Sequence, residues 1–87
     1  MNTLNLWRVN NSKNTKLIKA FGKKLRQVRI DKKISQEYLA DEAGIPTSQI
    51  GRIERGEIKT TISTAYLLAA KLGVTIKELF DFKEKEQ

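Results

Sequence analysis

The sequence predicts an all-α fold, a compact domain of five short helices preceded by a short N-terminal arm. Three observations carry that expectation. Apolar residues recur at helical spacing in successive segments, residues that cap or stop helices fall between those segments, and no stretch except "LNLWRV" near the N-terminus alternates as a strand would. With 87 residues the chain can bury one modest core, so a single domain is expected.

Taken in order, residues 1–14 form the arm, with Leu4, Leu6, Trp7 and Val9 set among asparagines. Leu17/Ile18, Phe21, Leu25 and Val28 then recur at helical intervals, predicting a first helix over about 16–31 with Asn14 or Thr15 as its cap. Gly22 inside it costs about 1 kcal/mol against alanine, which is tolerable where a neighbouring helix packs closely. Ser35 caps a second helix reaching about Ala43, and Gly44 supplies the positive φ that ends it. Pro46 sets the start of a third, running to about Arg55 and stopped by Gly56. Thr60 or Thr61 opens a fourth that ends at Leu72 before Gly73, with Ile62, Ala65, Leu68, Ala69 and Leu72 as its inner face. Thr75 and Glu78 make a capping box for the last short helix. The domain spans 15–82, its two central helices about 35–55, and 83–87 is a charged tail.

Composition excludes several kinds of chemistry. The chain contains no cysteine and no histidine, which removes disulfides, thiolate nucleophiles, Cys/His zinc sites and any triad with an imidazole base. No paired carboxylates with a nucleophile and no phosphate-cradling glycine loop are evident, so no enzyme, cofactor, metal or small-molecule substrate is expected. No apolar run approaches the roughly 20 residues of a membrane span, and a cytoplasmic protein is expected. The net charge of +7 is concentrated: residues 1–34 hold ten Lys/Arg against Asp31 alone. That asymmetry favours a polyanionic partner, although lysines on the first helix also suit a plain solvated face.

On the third helix, Thr47, Ser48, Gly51, Arg52 and Arg55 fall within a sector of roughly 140°, while Ile50 and Ile53 point the other way. One side is core and the other is short, polar and arginine-ended. Such a face allows close approach to a DNA groove, with Ser, Thr and Gln reaching base edges or phosphates and Arg52 suited to guanine. Two helices joined by about four residues around Gly44 form the helix-turn-helix pattern.

With these residues in place, "LR..R", "SQEYLA", "AGI", "I.RIERG" and "LA.KLGV" within residues 21–80 resemble the Cro and phage-repressor type of helix-turn-helix domain, the XRE family. The resemblance implies a regulator of transcription that binds double-stranded DNA. It assigns Gln36 a reach from phosphate to base, Thr47, Ser48 and Arg52 to base reading with Gln49 at the edge, and Arg55, Lys59 and the backbone near Thr60 to phosphate. It also makes Arg29 and Glu54 a partly buried structural ion pair. The chain departs from the family at Pro46, where relatives carry Ser or Thr as the cap, and at Thr60, where many carry Pro. Pro46 leaves open a one-residue shift of the helix start. Gly51 reads either as closer DNA approach or as tolerated drift, and Tyr38 either as a half-buried aromatic or as a phosphate donor.

A single recognition helix reads few base pairs, so a homodimer is expected. Leu67, Ala70 and Val74 recur on the outer side of the fourth helix and its exit, and Leu79, Phe80 and Phe82 follow; together they are the candidate seam. The alternative is that the arm covers this patch within one chain. A competing function uses the same fold as a protein-interaction module or an antitoxin-like partner.

Overall fold

The computed structural model describes residues 3–83, with side chains from residue 14 onward. Five helices follow one another: α1 (Thr3–Asp31), α2 (Gln36–Ala43), α3 (Thr47–Glu54), α4 (Ile62–Leu72) and α5 (Ile76–Leu79). Among the described residues there is no strand, and no helix is long and apolar enough to cross a membrane. α3 packs against α1 and α2, while α4 packs against α2 and α5, and α5 closes back on α1. Leu25, Leu39, Ile50, Ile53, Leu68 and Leu79 are fully buried where these helices meet.

Local chemistry sets most of the boundaries. Ser35 Oγ accepts the Tyr38 N–H at 3.0 Å to start α2, and Gly44, with φ at 70°, ends it. Thr61 Oγ1 accepts the Thr64 N–H at 3.1 Å to start α4. The Thr75–Glu78 capping box is complete, each side chain bonded to the other's backbone. Pro46 occupies the cap position of α3 without a side-chain bond, and its carbonyl accepts the Gln49 N–H at 3.0 Å. Thr47 is therefore the first helical residue, and the register of α3 is not shifted.

α1 begins well before its expected cap. Asn14 and Thr15 lie inside a helix that starts at Thr3, and "LNLWRV" is helical backbone. The side chains of Leu4, Leu6, Trp7 and Val9 lie outside the described residues, as do Glu84–Gln87. Gly22 has the close neighbour expected of it: a Cβ there would meet the Ile53 carbonyl oxygen and come within 2.7 Å of that of Glu54. Ile62, assigned to the inner face of α4, is instead 88% exposed, because it stands at the first position of a helix whose covered stretch begins at Ala65.

Tyr38 is 55% exposed, and one further expectation fails. Leu79 is fully buried and cannot belong to a surface seam; α5 is a new helix after the left-handed turn at Gly73, and that turn swings Leu79 into the core. Val74 and Phe82 are half-buried against the core, whereas Phe80 stays 46% exposed with its ring 5.0 Å from that of Phe21.

Candidate nucleic-acid interface

α3 is divided lengthwise. Ile50 and Ile53 anchor one side in the core, Ser48 and Arg52 are exposed on the other, and Thr47 and Gln49 are half-exposed at its start. The short side chains leave the helix backbone near the surface, which is what entry into a groove requires. Arg52 has no carboxylate within ion-pair distance among the described residues, so its guanidinium is available to a ligand.

Gly51 is buried although it lies on the outer side of α3, because the Arg55 side chain folds back over it. A Cβ at Gly51 would come within 2.9 Å of Arg55 Nη1. Arg55 itself is exposed and donates from Nε to Glu57 Oε2 at 2.6 Å. That hydrogen bond draws the Glu57 carboxyl below, and raises the Arg55 guanidinium above, their usual ranges. A phosphate at Arg55 would have to compete with Glu57.

In the loop between α3 and α4, Lys59 is exposed, but the Thr60 hydroxyl oxygen is buried without a hydrogen-bond partner among the described residues. The side chain of Thr60 therefore does not face outward, and only its backbone remains for a phosphate role. Gly56 in this loop packs against Lys19 of α1. The outer side of α1 carries a groove of about 540 Å³ rimmed by Lys16, Lys19, Lys23, Lys24 and Lys83 together with Asp81, with Phe82 in its wall. Part of the basic excess of the sequence is thus gathered on one side of α1.

Behind α3 lies the ion pair. Arg29 Nε donates to Glu54 Oε2 at 2.6 Å and Nη2 to Oε1 at 3.0 Å, both side chains nearly enclosed. Hydrogen bonding to Glu54 raises the Arg29 guanidinium further above its ordinary value, outweighing the burial that opposes it. Arg29 Nη1 also donates to the Ile34 carbonyl at 2.8 Å, tying α1 to the start of α2. One contact had no signal in the sequence: Gln36 Nε2 donates to Glu54 Oε1 at 2.9 Å. Gln36 is therefore held by the ion pair at the edge of the exposed face of α3.

Among the described residues no group of three His, Cys, Asp or Glu could hold a metal ion. Comparison with known proteins agrees with the geometry. The helix-turn-helix family model HTH_3 matches residues 25–79. Control protein C.BamHI of Bacillus amyloliquefaciens is 40% identical over 63 residues, covering 71% of this chain and 78% of that protein. Control protein C.MunI of a Mycoplasma species is 34% identical over 67 residues, covering 76% and 90%. The crystal structure of the restriction-modification controller protein C.AhdI from Aeromonas hydrophila superposes with a TM-score of 0.69 at 39% identity, over 74% of this chain and 96% of that one. The split face of α3, the turn at Gly44 and these relatives together place the chain in the XRE-type helix-turn-helix family of DNA-binding transcriptional regulators.

Proposed function

We propose that the chain is a stand-alone regulator of the restriction-modification controller type that binds double-stranded DNA as a homodimer, with α3 in the major groove. The observation that carries this reading is the division of α3, whose inner isoleucines are sealed while Ser48 and Arg52 stand exposed. Thr47, Ser48, Gln49 and Arg52 read bases, and Lys59 with the loop backbone holds phosphate. The lysines of α1 add sequence-independent attraction. It is a regulator, not an enzyme. The cytoplasm, where the DNA is, is its proposed compartment.

Dimerisation is supported by the outer side of α4. Tyr66 is 67% exposed, Ala70 is exposed and Leu67 half-exposed, so apolar surface lies open there. Tyr66 joins the proposed seam and Leu79 leaves it. Selection of bound duplexes from a random pool tests the reading. One preferred site is expected, with affinity for it falling steeply between about 50 and 200 mM salt. Equal binding of every duplex would defeat it.

A further inference from the structure

Gly51 and Glu57 hold the Arg55 side chain between them. Gly51 lies on the outer side of α3, one turn before Arg55, and a Cβ there would come within 2.9 Å of Arg55 Nη1. A side chain at position 51 would push the guanidinium off the helix, so the bare backbone of a glycine is the seat on which it lies. Glycine is the poorest helix former after proline, and this seat gives a reason for its place inside a helix of 8 residues. From the other side Glu57 accepts Arg55 Nε at 2.6 Å on Oε2 and reaches Nη2 at 3.5 Å with Oε1. Those bonds leave the N–H groups of Nη1 and one on Nη2 without a partner among the described residues.

We propose that Arg55 reads a guanine in the major groove, with Gly51 and Glu57 as the residues that position it. The free N–H groups at the Nη1–Nη2 end of the guanidinium are parallel donors, a fork that matches guanine O6 and N7. Their place over Gly51 sets them on the same side of α3 as the exposed Ser48 and Arg52. Adenine accepts at N7 but donates at N6, so it satisfies one arm of the fork and opposes the other. Electrostatics favour the base over the DNA backbone. Glu57 offsets the Arg55 charge and repels a phosphate beside it, whereas a guanine edge carries no charge and needs only the donors. Glu57 and Gly51 touch no base in this arrangement; they act through Arg55. This rests on α3 entering the major groove, and the experiment separates the two.

The test is selection from random duplexes with the full chain, comparing wild type with Arg55→Lys, Glu57→Ala and Gly51→Ala. Lysine keeps the charge that a phosphate contact needs but lacks the fork. Arg55→Lys is expected to lower the preference for guanine at one position of the site by roughly tenfold, at a position other than the one that Arg52→Ala relaxes. Glu57→Ala is expected to lower the preference at that same position. Removing its negative charge also raises affinity for DNA, but that gain falls on every duplex alike and leaves their ranking untouched. Gly51→Ala is expected to lose the same preference while melting no lower than wild type, because alanine favours the helix and the flexible end of Arg55 can swing clear of the Cβ. An Arg55→Lys protein that keeps every preference makes Arg55 a phosphate contact and overturns the inference. So does a Glu57→Ala or Gly51→Ala protein that keeps the guanine preference, or a Gly51→Ala protein that loses it only with a lowered melting temperature. A wild type with no preferred duplex overturns the major-groove reading together with the inference, whereas the variants overturn the inference alone.

Discussion

Arg52 and Arg55 stand three residues apart at the end of α3, yet their surroundings give them different work. Arg52 is exposed and has no carboxylate partner among the described residues, while Arg55 lies over Gly51 and is engaged by Glu57. Arg52→Ala is therefore expected to cost about 1–3 kcal/mol on the preferred site and to relax one base pair, as measured by titration against single-substitution duplexes. An equal loss on every duplex would make Arg52 a phosphate contact. Because Glu57 is held below its ordinary range, the Arg55–Glu57 pair is present at neutral pH and is lost only as pH falls through that lowered value. Both groups are exposed, so the pair adds little to stability and acts mainly by occupying Arg55. Thr60 carries a different burden, a buried hydroxyl without a partner among the described residues. An unsatisfied buried polar group costs about 1–3 kcal/mol. Thr60→Val, of nearly the same shape, is expected to raise the thermal midpoint. A lowered midpoint would mean that the hydroxyl is satisfied by water.

At the scale of the helices, boundaries were legible wherever a cap is written into adjacent residues. Ser35 with Gly44, Thr61 with Gly73, and Thr75 with Glu78 place α2, α4 and α5 because each bond joins residues a turn apart. The start of α1 was not legible: Asn14 and Thr15 can cap a helix or sit within one, and no glycine or proline precedes Gly22 to force the choice. The candidate site divides in the same way. The exposed residues of α3 follow from its period, whereas the bond from Gln36 to Glu54 joins residues 18 apart and has no local signature. Placing Leu79 on the surface failed because it carried the register of α4 past a left-handed turn. Gly22 supplies the test of how tightly α1 and α3 are joined. Gly22→Ala gains about 1 kcal/mol of helix propensity, but its Cβ meets two backbone carbonyls of α3, and overpacking costs about 1–3 kcal/mol. The expected result is a lower midpoint in urea. A higher one would show that the two helices part without loss.

For the whole molecule, the decisive quantity is how many base pairs it reads. One α3 spans 8 residues and contacts only a few base edges, too few to single out one site in a genome. Two copies related by a twofold axis double the site, and their recognition helices must lie about 34 Å apart to enter successive major grooves on one side of the duplex. A symmetric seam pairs one patch with itself, so it has to be apolar, self-complementary and away from α3. The outer side of α4 meets the first requirement through Tyr66, Leu67 and Ala70. Its inner side is occupied by Leu68, Ala69 and Leu72, so a charge at Leu67 can disturb the seam without entering the fully buried core. Leu67→Asp is expected to sediment as a monomer at micromolar concentration, with wild type a dimer. The variant should keep its helical signal and lose affinity on the full palindrome more than on an isolated half-site. A wild type that sediments as a monomer both free and on DNA, or a Leu67→Asp protein that still dimerises, would move the seam off α4.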